Sequence, residues 1–78
     1  PNPSNGSVVF SFQVPHQIHV RLDVYNALGQ LVRRVLEAPY LPGMHRVLFD
    51  TSALASGLYF YRLTAQDQSM SRRIAILK

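Results

Sequence analysis

Three histidines, four carboxylates, four tyrosines and eight Lys/Arg side chains are the groups in this 78-residue chain that could do chemistry. The histidines are His16, His19 and His45. A protein metal site needs several ligands converging at fixed spacing, such as an i, i+2 histidine pair on a strand or a carboxylate beside a histidine in a loop. Neither His16 nor His19 has such a second ligand, so surface imidazoles are expected and no metal. The carboxylates are Asp23, Glu37, Asp50 and Asp67. A glycosidase-type pair would need a cleft between two of them, and so short a chain has little room for one. Asp50, opening Asp50-Thr51-Ser52, has the pattern of an Asx-turn, in which the carboxylate accepts from backbone N–H groups just downstream. Asp23, between Arg21 and Tyr25, is expected to pair with a cross-strand arginine. Ser52 and Ser56 flank no nucleophile elbow. Cysteine is absent, which removes disulfides, thiol nucleophiles and cysteine-ligated metals. The expectation is no catalytic residue and no cofactor.

Two groups remain as binding candidates. Tyr25, Tyr40, Tyr59 and Tyr61 could stack on sugars if they shared an exposed face, and Tyr59 and Tyr61 do share one by alternation. The competing demand is a core, since aromatic bodies are usually buried with the hydroxyl at the rim. The charge is +4, but Arg21, Arg33, Arg34, Arg46, Arg62, Arg72, Arg73 and Lys78 are scattered. That reads as a solvated surface rather than a nucleic-acid footprint.

The elements that would position these groups alternate with period two. Ser7–Val14 puts Val8, Phe10, Phe12 and Val14 on one face, and Pro15 ends it. Residues 18–25 put Ile18, Val20, Leu22 and Val24 on one face and His19, Arg21, Asp23 and Tyr25 on the other. Asn26-Ala27-Leu28-Gly29 turns the chain into a return strand over residues 30–36. A rival helix over residues 27–36 rests on Leu28, Leu31, Val32 and Val35. Pro39, Pro42 and Gly43 predict a loop over residues 37–43. Residues 44–50 follow as a fourth strand, with His45, Val47 and Phe49 on one side. Thr51 to Gly57 connects to a fifth strand over 58–65, Gln66-Asp67-Gln68 turns, and residues 70–77 form the last strand.

Six such strands predict an all-β fold, a small antiparallel β-sandwich in one domain spanning residues 1–78. Forty-seven per cent of residues are hydrophobic, which argues against disorder. A domain this size buries only about 60% of the surface its unfolded chain exposes, so each apolar face counts. No apolar run of about 18 residues and no signal peptide appears. The chain opens on Pro1 rather than Met, so a fragment of a larger protein is expected.

The punctuation is more distinctive than the apolar runs. In order, it reads Pro1-Asn2-Pro3, then Val24-Tyr25-Asn26-Ala27-Leu28-Gly29-Gln30, then Pro42-Gly43-Met44-His45 and Phe49-Asp50. Leu54-Ala55-Ser56-Gly57-Leu58-Tyr59 and the tail Arg72-Arg73-Ile74-Ala75-Ile76-Leu77-Lys78 complete the series. This set resembles the type IX secretion system C-terminal sorting domain, type A, over essentially the whole chain. The resemblance implies an Ig-like β-sandwich of six to seven strands that closes a multidomain protein exported through the periplasm and outer membrane to the cell surface or medium. It implies an outer-membrane shuttle and a translocon as partners and, in many members, a sortase-like peptidase that removes the domain. Neither nucleic acid nor a membrane span is implied.

The residues that carry the likeness are Pro1, Asn2, Pro3, Gly29, Gly43, Asp50, Leu54, Gly57, Tyr59 and the tail with Arg72, Arg73, Ile74, Ile76 and Lys78. Physical roles can be attached to several. The glycines would allow positive φ or close backbone passage, and Leu54 would plug the core. The tail would be an extended strand able to pair by its edge with a receptor. The alternative function is a carbohydrate-binding or structural β-sandwich module attached to an extracellular enzyme.

Overall fold

The computed structural model describes residues 6–78. Pro1, Asn2 and Pro3 lie outside the described residues. Six antiparallel strands follow in chain order: β1 (Ser7–Val14), β2 (Ile18–Asn26), β3 (Leu31–Tyr40), β4 (Gly43–Asp50), β5 (Gly57–Ala65) and β6 (Gln68–Ile76). They form a two-stranded sheet, β1-β4, packed on a four-stranded sheet of order β3-β2-β5-β6. The all-β sandwich expected from the alternation is what the chain adopts.

The core is the set of inward positions read from that alternation. Phe10, Leu22, Val24, Phe49, Tyr59, Ile74 and Ile76 form one buried cluster, and Phe12, Val14 and Val20 a second. The small sheet sits asymmetrically over the large one. On the β4 side the rings of His45 and Tyr40 meet at 4.9 Å, and Arg33 lies over Phe49 at 5.8 Å. On the β1 side Phe10 meets Tyr61 edge-on at 4.8 Å.

The structure differs from the sequence reading in β3. It starts at Leu31 and runs to Tyr40, so the loop predicted over residues 37–43 shrinks to Leu41-Pro42. Pro39 sits inside the strand, opposite His19. Because β3 pairs with β2 alone among the described residues, one of its edges needs no N–H donors. The rival helix fails for a local reason: Asn26 accepts from the N–H groups of Leu28 and Gln30 at 3.0 Å each and closes a tight turn. Gly29 stands there at φ 83°, a conformation that strains any side chain. The β5–β6 turn is also tighter than predicted, with Gln68 already in β6. Gln66 takes φ 56° in it, a position that favours glycine.

Asp23 is the second difference. Alternation puts it on the outer, polar face, yet it is 1% exposed. The β2–β3 register shifts between Leu22 and Asp23 and brings Arg34 opposite it. Arg34 Nε donates to Asp23 Oδ1 at 2.9 Å, and Arg62 stands opposite on β5. Long arginine stems close over the carboxylate and exclude water from a face that carries no second sheet.

Candidate functional site

Most of the described residues singled out in the sequence lie in two places, the connection between β4 and β5 with the start of β5, and the strand β6 with the chain end; Gly29 and Gly43 stand apart, in the β2–β3 turn and at the start of β4. Asp50 ends β4, and its Oδ1 accepts from the Ser52 N–H at 2.9 Å, the Asx-turn its position suggested. Leu54 N–H donates to the Thr51 carbonyl at 3.0 Å, while the half-buried Leu54 side chain packs on the larger core cluster. Thr51 N–H donates to the Gly6 carbonyl at 2.8 Å, tying this connection to the start of β1. Tyr59 is buried, and its hydroxyl donates to the Ala55 carbonyl at 2.7 Å, four residues upstream. That is the geometry of a tyrosine corner, in which a buried ring pins the loop leading into its own strand. Removing the hydroxyl alone, in Tyr59→Phe, is expected to cost about 1 kcal/mol in denaturant unfolding. A change within about 0.3 kcal/mol would show that the hydroxyl pins nothing.

The end of the chain returns to the same connection. Lys78 N–H donates to Ser56 Oγ at 2.9 Å, and Lys78 Nζ donates to the Ser52 carbonyl. Charge and hydrogen bonding meet at Asp50. The Ser52 N–H first, then its hydroxyl, hold the Asp50 carboxyl below the ordinary carboxylate range; slight desolvation opposes them, and Lys78 and Arg33 add to the lowering. A depressed carboxylate stabilises the fold above its unfolded pKa, and that contribution is lost as pH falls through the lower native value. The Ser52 amide resonance should therefore titrate with a midpoint below that of an unstructured aspartate. An ordinary midpoint would mean that the turn does not hold in solution.

Of the glycines, Gly29 and Gly43 have φ of 83° and 127°. A Cβ added at either would meet nothing within 4 Å, so positive φ rather than close packing accounts for both. Gly57 opens β5 opposite Ile76.

Strand β6 divides into two kinds of residue. Ile74 and Ile76 are buried, at 5% and 0% exposure, opposite Tyr59 and Gly57. They belong to the core; Ile76 is wholly covered, and Ile74 keeps only a small surface, in the groove beside it. Arg72 and Arg73 are exposed, and no ion pair forms at either among the described residues. Beside them runs a groove of about 500 Å³, walled by Val8, Val9 and Phe10 of β1 and by Tyr61, Arg73 and Ile74. This groove is not marked in the sequence, because it depends on how the packing of the two sheets brings β1 beside β5 and β6.

The groups weighed for other chemistry stay dispersed. His19 Nε2 lies 3.2 Å from Glu37 Oε2 on the surface. His45 stacks on Phe12 at 5.6 Å and bonds the Leu41 carbonyl at 2.7 Å. No cluster of three or more metal-ligating side chains occurs among the described residues. Tyr59 and Tyr61, the pair that alternation places on one face as a candidate sugar platform, both turn inward to the core. No helix among the described residues is long and apolar enough to cross a membrane.

Compared with known families, residues 1–77 match the one described as the secretion system C-terminal sorting domain. No curated protein and no solved structure matches the chain.

Proposed function

The chain belongs to the family of secretion system C-terminal sorting domains, and from that premise we propose how its parts divide the work of a type IX sorting signal. Such a signal directs export to the cell surface or medium and engages the type IX secretion system. In our reading the domain carries no catalysis of its own. An outer-membrane shuttle protein and the translocon recognise it from the periplasmic side, and a sortase-like peptidase acts, where it acts at all, upstream of or near Pro1.

The match across residues 1–77 carries this reading. Within it we read a division of labour. Ile74, Ile76 and the Lys78 contacts hold the terminal strand in the fold, while Arg72 and Arg73 face outward. Recognition in this reading is of a folded surface, not of a loose peptide tail.

The test is a reporter carrying a signal peptide at its N-terminus and residues 1–78 at its C-terminus, expressed in a type IX-competent cell. The reporter is expected outside the cell. Retention in the periplasm, with the domain folded, would overturn the reading. The double variant Arg72→Ala/Arg73→Ala should fold normally and lower export several-fold; unchanged export would remove these two residues from recognition.

A further inference from the structure

The outer face of the four-stranded sheet carries no second layer, and part of its charge is neutralised locally. Arg21 and Arg34 are taken up by Asp23, and Arg34 also reaches Glu37. Arg62 of β5 is exposed, and no ion pair forms at it among the described residues. Its guanidinium lies over the Tyr25 ring, 5.5 Å from the centroid. Tyr25 stands opposite Phe60 in the β2–β5 pairing, and both are half-buried. These three side chains line a hollow of about 260 Å³ together with Gly29 and Ser71. One rim of it is fixed. Asn26 Oδ1 accepts from the Leu28 and Gln30 N–H groups, and Asn26 Nδ2 donates to Gln30 Oε1 at 2.8 Å, which holds the turn that carries Gly29. Cross-strand packing accounts for two aromatic side chains meeting on this face. It does not account for a concave site with an unneutralised guanidinium beside them.

We propose that this hollow binds a hexuronic acid unit of an acidic polysaccharide, with the pyranose ring on Phe60 and the carboxylate on Arg62. The C–H face of a sugar ring is apolar and packs on the negative face of an aromatic ring. Phe60 and Arg62 share the outer face two residues apart, about 6.6 Å along the strand. A uronate carboxylate hangs directly from its ring, so one unit can make both contacts at once. Stacking on Tyr25 sets the plane of the guanidinium and leaves its N–H edge free to grip a carboxylate through two hydrogen bonds. A neutral sugar would crowd Arg62 without compensating its charge. A peptide fits less well. Both β2 and β5 are interior strands, so the backbone under the hollow has no unpaired edge to which an extended segment could add. Side chains alone must hold the ligand, and a rigid ring with a fixed charge loses less freedom on binding than a peptide does. Of the four tyrosines, Tyr59 and Tyr61 turn to the core and Tyr40 packs on Phe12 and His45, which leaves Tyr25 for the outer face. The site is independent of the sorting reading.

The folded 78-residue chain, labelled with ¹⁵N, would be titrated with trigalacturonic acid and with its methyl ester, which keeps the rings and removes the charge. The acid is expected to shift amide resonances of residues 25–31 and 60–62 and to bind about ten-fold more tightly than the ester. Arg62→Gln, at an exposed position, should bind acid and ester alike. Phe60→Leu, which keeps an apolar side chain and removes the ring, should weaken both. Equal binding of acid and ester by the unsubstituted chain, an acid preference that survives Arg62→Gln, or shifts confined to β1 or β4 would overturn the proposal. So would the absence of any shift at about 10 mM, above the millimolar range of a weak single-ring site. Tighter binding of a capped octapeptide alternating phenylalanine with glutamate would give the hollow to a protein partner and overturn it as well.

Discussion

Ile76→Ala is expected to lower the stability of the folded domain by about 3 kcal/mol in chemical denaturation, and so to trap an exported fusion in the periplasm as unfolded protein. The magnitude follows from burial. Ile76 has 0% exposure and sits in the larger core cluster with Ile74, Tyr59 and Phe10. Deleting its distal carbons removes the transfer free energy of those atoms and leaves a cavity that a β-strand backbone cannot close. At about 0.05–0.15 kcal/mol per residue, a chain of this length has a total stability of only about 4–12 kcal/mol. One core truncation spends a large part of that. Removing residues 72–78 outright takes Ile74 as well and is expected to unfold the domain.

That result bears directly on how a tail deletion is read. Loss of export after deletion would reflect lost folding as readily as lost recognition. Arg72→Ala and Arg73→Ala separate the two, because exposed substitutions away from caps and cores stay within about 0.5 kcal/mol. If Ile76→Ala costs less than about 1 kcal/mol, the terminal strand is not a core element and the tail regains its standing as a free signal.

Strand alternation made most of the fold legible in the sequence. The inner faces of β1, β2, β4 and β5 follow from period-two spacing, because a sheet with one buried face admits only one register. The turn residues were equally readable. Asn26 and Asp50 act through their own side chains on the backbone just beyond them, so a local pattern suffices. What was hidden depends on neighbours distant in sequence. Pro39 looked like a loop residue because its fitness for a strand depends on β3 being an edge, which only the pairing order decides. Arg73 reads as ordinary surface charge, and its place beside a groove walled by Val8, Phe10 and Tyr61 depends on how the two sheets pack. Of the tail residues, sequence gave no means of telling the buried Ile74 and Ile76 from the exposed Arg72 and Arg73 as parts of a recognition surface.

Asp23 shows the same dependence in a stability term. Asp23→Ala is expected to cost about 2 kcal/mol in denaturant unfolding, well beyond what an aspartate at a nominally polar strand position would cost. Two opposing effects set the figure. A carboxylate at 1% exposure has given up several kcal/mol of hydration, which only close cationic partners restore. Arg34 Nε donates to it at 2.9 Å, and Arg21 Nε lies 3.1 Å from Oδ2 without hydrogen-bond alignment. Against this, the side chains of Arg34 and Arg21 remain 45% and 37% exposed, so both guanidinium groups can turn to water once the carboxylate is gone. The loss should therefore fall short of that for a fully buried pair. The asymmetry supplies the decisive comparison. The buried member of the pair is the acid, so Arg34→Ala strands a desolvated carboxylate, and its cost should clearly exceed that of the unpaired surface variant Arg46→Ala. The hydrogen bond and the charge of Asp23 also raise the affinity of Arg34 for its proton, the converse of the same contact. If Arg34→Ala and Arg46→Ala prove equal, water reaches Asp23 in solution, and the arginine cover over the outer face of the four-stranded sheet does not hold.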